Sequence, residues 1–208
     1  MSYTSTRPRQ FQFILSFLNI ELSGDPTTEE IALYSWLEDI AEICYEEAEG
    51  YCGQPLRSSS LTYEFDVLKS QKTLEDQYHW KFIPYFAGTT LTTVEKRDNL
   101  FDNYQVMSQN DFRWSTERYG NYLVFRNLDK GQIRTTLSTG FSDTTMPKTI
   151  LQGIAEMTSI IYKQSPQGGN WFGLNSVSTG GAGQNVSSSL KTDIQWKRYF
   201  GTYVIPTV

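Results

Sequence analysis

The chain has 208 residues, of which 38% are hydrophobic and 14% aromatic, and its formal charge is −5. That is apolar material for one core, or one core with an appended subdomain, and too much for a disordered chain. No apolar run approaches the roughly twenty residues that a membrane-spanning helix needs. The acidic balance argues against a protein that grips duplex DNA, because DNA carries one phosphate charge per ~1.7 Å and its binders show a basic face.

The stretch from Phe11 to Leu22 is the first apolar segment, with Arg7 and Arg9 ahead of it. It imitates the front of a secretory signal, but Gln12, Ser16 and Asn19 interrupt it, Glu21 ends it and no small-residue cleavage site follows. A short buried helix is expected there. Asp25-Pro26, or Thr27 with Glu30, then offers a helix start with cap, proline and capping-box acid. Leu33, Trp36, Leu37, Ile40, Ala41, Cys44, Ala48 and Tyr51 recur at three- and four-residue spacing, so an amphipathic helix is predicted over 26–51, ending near Gly50 or Gly53 ahead of Pro55.

Between Gln10 and Leu56 there are ten acidic residues and no Lys or Arg, so this segment contributes −10 and the rest of the chain +5. Glu38, Glu42, Glu46 and Glu49 fall in a sector of the helix apart from its apolar stripe. A single-sign face of this kind repels something that passes, meets a basic partner or is simply solvated. Cys44 lies on the apolar stripe as a small core residue. If the helix runs through both cysteines, Cys52 sits roughly 12 Å further along it, beyond disulfide reach.

From Ser58 to Thr145 the period changes to two. Leu61 to Val67, Tyr78 to Phe86, Leu91 to Glu95, Tyr104 to Met107, Phe112 to Trp114, Tyr122 to Arg126 and Ile133 to Leu137 are short, aromatic and β-branched, and Gly, Asn, Asp and Ser separate them. This predicts a compact antiparallel region, a sandwich or small barrel. Helical period returns at Pro147. Ile150, Leu151, Ile154, Ala155, Met157, Thr158, Ile161 and Tyr162 cover most of a helix over 147–164, which should be the most buried of all and lie against the acidic helix. Ser165 to Ser189 is rich in Gly, Ser and Asn, with Trp171 and Phe172 as anchors suited to a neighbouring subunit. A last short helix is expected over 190–200, closed by Lys197, Arg198 and Gly201. Tyr203, Val204, Ile205, Pro206 and Val208 form a β-prone apolar tail fit for a docking arm.

Catalytic signals are thin. Gly181-Ala-Gly183 lacks a third glycine, a preceding strand and a helix, and no phosphate-loop motif exists. His79 is the only histidine, so it has no partner for metal ligation, and between Tyr78 and Trp80 it reads as strand rather than general base. Glu46 and Glu47 are adjacent and point in different directions along a helix. Trp80, Tyr85, Phe86, Trp114 and Tyr119 suit a sugar or base platform, although core packing is the commoner use of such residues.

The order of elements is more telling. Trp36-Leu37-Glu38-Asp39-Ile40-Ala41 leads into Ala48-Glu49-Gly50-Tyr51-Cys52-Gly53-Gln54-Pro55, and Leu137-Ser138-Thr139-Gly140-Phe141 into Met146-Pro147 and the helix from Lys148 to Tyr162. The pattern resembles the head-tail connector (adaptor) proteins of tailed bacteriophages, in which a helix ends in a Y-x-G turn and a last strand enters the second core helix through Y-x-A-G-[YF] and a later [IV]-P. The resemblance spans about residues 11–200. Thr139 stands where that family usually has Ala, and the β insertion here is long.

The residues themselves predict an α+β fold, with residues 1–57 and 147–208 as a helical scaffold and 58–146 as an inserted antiparallel β region. The resemblance implies a virion protein of the neck, assembled in the host cytoplasm: a homo-oligomeric ring, commonly of twelve, around the channel through which double-stranded DNA passes without sequence-specific binding. It implies a portal protein and a downstream neck or tail protein as partners, a C-terminal arm on the portal, and neither catalysis nor cofactor. Glu38, Glu42, Glu46 and Glu49 are the candidate channel-facing residues. The alternative from another class is a carbohydrate-binding module or accessory protein using the β-region aromatics.

Overall fold

The computed structural model describes residues 3–67, 78–117, 120–126, 128, 131–165 and 195–205. Its fold is α+β. Two helices, α1 (Pro8–Leu18) and α2 (Thr28–Cys52), precede strands β1 (Ser59–Val67), β2 (Tyr78–Ile83), β3 (Thr90–Arg97), β4 (Gln105–Val106), β5 (Phe112–Glu117), β6 (Gly120–Arg126) and β7 (Gly131–Thr139). Helix α3 (Lys148–Gln164) and two 3-10 turns, Gln195–Tyr199 and Gly201–Tyr203, follow. Contacts divide the chain into a helical unit, Met1–Gly53 with Ser142–Val204, and a β unit, Gln54–Phe141 with the chain end from Ile205.

In the helical unit the first helix is set by two local devices. Pro8 occupies its opening turn, where a missing N–H costs nothing, and the Asp143 carboxylate accepts from the backbone N–H groups of Arg9 and Gln10 at 3.0 and 3.1 Å. The helix stops at Leu18, short of the expected Leu22, because Asn19 turns left-handed at φ 57. The capping box of α2 is present in both directions: Thr27 accepts from the Glu30 N–H at 3.2 Å and Glu30 from the Thr27 N–H at 2.7 Å. Gly53, left-handed at φ 70, closes it.

The buried stripe of α2 contains Leu37, Ile40, Ala41, Cys44, Ala48 and Cys52, but also Tyr34 and Tyr45. The expected members Leu33 and Trp36 are only half-buried and Tyr51 is exposed. Both cysteines are free and buried, and burial pushes each thiol up to about 12. Helix α3 is buried round most of its circumference, including Ser159, whose hydroxyl donates to the Glu156 carbonyl at 2.8 Å. It packs against α1, α2 and the first 3-10 turn.

The β unit is two antiparallel sheets around one core. The larger runs β1-β7-β3-β4 and the smaller β2-β6-β5. Val67, Val94, Ile133 and Leu137 from the first pack with Ile83, Leu123 and Phe125 from the second. Each such side chain contributes ~1.5–3 kcal/mol by leaving water.

The segment 190–200 departs from expectation. Its described part, Gln195–Tyr199, is a 3-10 turn, and Gly201 opens a second one instead of ending a helix.

Candidate functional site

The acidic face of α2 is partly covered by its own chain. The segment ahead of α1 crosses it as a strap: the Tyr3 hydroxyl donates to Glu38 at 2.5 Å and the Ser5 hydroxyl donates to the other carboxylate oxygen. The Tyr3 ring packs on Phe11 and Tyr34 at centroid separations of 5.4 and 5.3 Å. Burial, and then the bond to Glu38, hold the Tyr3 phenol well above its ordinary range, so it stays a donor. Next along the strap, the Arg7 guanidinium pairs with Glu42 at 3.5 Å and lies 5.2 Å from the centre of the Tyr45 ring. Of the four expected channel-facing acids, Glu38 and Glu42 are thus bound from within the chain, Glu49 is half-buried and Glu46 is exposed. Asp39, also exposed, shares their side of the helix.

The strap is anchored at its root. Arg9 donates to the carbonyls of Asp143, Thr144 and Met146 at 3.3, 2.8 and 2.9 Å, which ties the turn before α3 to the start of α1. A Gln10 side chain left 3% exposed lies in the same helix, and its Oε1 has no hydrogen-bond partner among the described residues.

Ahead of the C-terminal tail, Trp196 and Phe200 are buried at 1% and 0% exposure. Their rings meet at 5.8 Å, Trp196 abuts Tyr51 at 5.6 Å, and Phe200 fills the space left by Gly153 on α3. Arg198 pairs with Glu156 at 3.3 Å. Sequence reading missed these two anchors, although a glycine inside an otherwise apolar helix marks a close approach. Tyr203, Val204 and Ile205 are half-buried. Pro206, Val208, Trp171, Phe172, Tyr119 and the Gly181-Ala-Gly183 stretch lie outside the described residues.

In the β unit two of the five expected platform residues, Tyr85 and Trp114, pack against the buried cluster. Trp80 is different. It is 59% exposed beside Phe82 at 42%, and the Tyr122 ring touches both, at 6.1 and 5.3 Å. Among the described residues no group of three His, Cys, Asp or Glu side chains could hold a metal ion, and no helix is long and apolar enough to cross a membrane.

No protein-family profile matches the chain, and no curated protein matches it by sequence. Solved structures do match by fold. A chain in the neck of an empty gene transfer agent particle, computed with sixfold symmetry, superposes with a TM-score of 0.59 at 10% identity, covering 99% of this chain and 95% of the other. A chain in the virion of a native gene transfer agent particle gives 0.54 at 9% identity with the same coverage. At such identities the likeness is one of fold, and it extends over nearly the whole of both chains.

Proposed function

We propose that the chain is a structural subunit of the neck of a tailed-phage-like particle, forming an oligomeric ring that joins the portal to the tail around the DNA channel. The observation that carries this is the end-to-end fold likeness to a chain in a particle neck, reached independently of the motif order that resembles the connector family. The sixfold symmetry of that neck is compatible with a ring of twelve.

The electrostatics support a conduit rather than a DNA clamp. With formal charge −5 and an acidic helix, the ring would let duplex slide without sticking. The four helix acids do not act alike in this reading, since Glu38 and Glu42 serve the strap and leave Glu46 as the exposed member. Trp171 and Phe172 are assigned to the neighbouring subunit, and the tail from Tyr203 to the portal. A non-catalytic role follows.

Localisation tests the proposal directly. Particles carrying a tagged copy, imaged by electron microscopy with a tag-specific label, should show label at the head-tail junction in a ring. Removing the protein should give filled heads without tails. Label on the tail tip or capsid face, or tailed particles formed in its absence, would overturn it. The glycan alternative has one supporting observation, the exposed Trp80 against the half-buried Tyr122 ring, and binding to a glycan array abolished by Trp80→Ser would favour it.

A further inference from the structure

The exposed face of the smaller sheet carries an aromatic floor with two cations at its edge. Side chains alternate along a strand, so Ile83, Leu123 and Phe125 enter the core while Trp80, Phe82, Tyr122 and Val124 take the opposite face. The register sets Trp80, Val124 and Arg113 in one row across the three strands, and Phe82, Tyr122 and Ser115 in the next. Arg113 and Arg126 are exposed, and among the described residues neither guanidinium has an ion pair or hydrogen bond. A planar apolar surface with unpaired guanidiniums suits a flat element bearing carboxylates.

The helical unit presents such an element. Asp39 and Glu46 are exposed and without an ion pair or hydrogen bond among the described residues. Seven residues apart, they share one side of α2 about 10 Å from each other, with half-buried Ile43 between them. On the sheet, Arg113 lies beside Val124 and Arg126 two residues further along β6, so their Cα atoms stand roughly 8 Å apart on a diagonal. Two arginine side chains at that spacing reach two carboxylates at the other.

We infer that the outer face of the β2-β6-β5 sheet in one copy receives the side of α2 bearing Asp39 and Glu46 from a second copy. The two surfaces differ and belong to one chain, so the contact is head-to-tail, the type that generates rings. Its place in a ring rests on the neck reading, within which it moves Glu46 from the channel wall to the subunit interface; the contact itself does not. The same platform chemistry would also seat a single-stranded nucleic acid, with bases on the rings and phosphates on the guanidiniums. Charge decides between them: a chain of −5 repels a polyanion while supplying the carboxylates itself.

Sedimentation of the full chain across a concentration series reads the contact. The wild type should self-associate, and Arg113→Glu with Arg126→Glu should weaken association roughly tenfold or more with unchanged circular dichroism. Adding Asp39→Arg and Glu46→Arg should restore it. Arg113→Gln with Arg126→Gln serves if charge reversal disturbs the sheet, and Trp80→Ser should also weaken association. A wild type that stays monomeric, reversed variants that associate as it does, or a loss that the reciprocal pair fails to rescue would each overturn the inference. So would binding of a single-stranded oligonucleotide that Trp80→Ser abolishes. None of these results touches the neck assignment, which is judged on where the protein sits in particles.

Discussion

Gly140 sits where β7 leaves its sheet, and backbone crowding there leaves no room for any other residue. Its φ is +75, and a Cβ would stand 2.1 Å from the carbonyl oxygen of Arg57. Its N–H donates to the Ala87 carbonyl at 2.8 Å, while Phe141 donates to Leu56 at the same distance and Ser58 to Phe141 at 3.0 Å. Gly88, also left-handed, approaches the Gly140 carbonyl from the other side. Three segments therefore meet through main chain alone, which gives a physical reason for the Thr139-Gly140-Phe141 sequence at this point. Gly140→Ala should cost about 2–4 kcal/mol through steric overlap and the left-handed backbone. Gly50 is the contrast: it lies inside α2, exposed, with nothing within 4 Å of an added Cβ. There the same substitution should stabilise by about 0.5–1 kcal/mol by lowering the entropy of the unfolded chain. Urea denaturation of the two variants checks both signs, and equal shifts would contradict this account of the junction.

At the level of elements, the strap is a feature of the helical unit that composition conceals. The absence of any base between Gln10 and Leu56 marks an acidic helix with no local neutraliser, yet Arg7 reaches Glu42 and the Tyr3 and Ser5 hydroxyls reach Glu38 from 33–35 residues away. Hydrophobic period and capping chemistry are local signals, which is why α2, α3 and the strands are legible in the sequence. Pairing across such separations is not local. Tyr34 escaped for a related reason: its hydroxyl is satisfied by the Glu21 carbonyl at 3.2 Å and the Ser23 N–H at 3.3 Å, so a residue with a polar tip takes the place that Leu33 or Trp36 was expected to hold. The segment over Gln195–Tyr199 carries Lys197, Arg198 and Gly201 in the order of an α-helix end, which a 3-10 turn shares, and the packing of Phe200 against Gly153 is not a local signal. A chain lacking residues 1–6 should lose ring packing on Phe11 and Tyr34 and two donors to Glu38, about 2–3 kcal/mol. For a chain of this size that is a melting shift of roughly 5–10 °C, and an unchanged melt would show the strap to be idle.

On the scale of the whole molecule, the chain end is an apolar tail that follows two buried anchors. Trp196 and Phe200 hold the first 3-10 turn in the helical core, and the Tyr203 N–H donates to the Phe200 carbonyl at 2.8 Å to close the second. That last turn takes in Tyr203, so of the proposed docking arm only Val204 and the residues after it lie beyond the turn. A segment of this kind, apolar and launched from a rigid base, loses little entropy at its root when it docks on another chain, and Pro206 limits its pairing within its own. Truncation before Val204 keeps both anchors and the closing hydrogen bond. The truncated chain should therefore retain its circular dichroism and melt within about 5 °C of the full chain, since Val204 and Ile205 are only half-buried. Co-assembly with the portal ring, followed by pull-down and electron microscopy of the mixture, should be abolished. Undiminished co-assembly by the truncated chain would assign portal docking to another surface, and a collapsed melt would show that the tail belongs to the core.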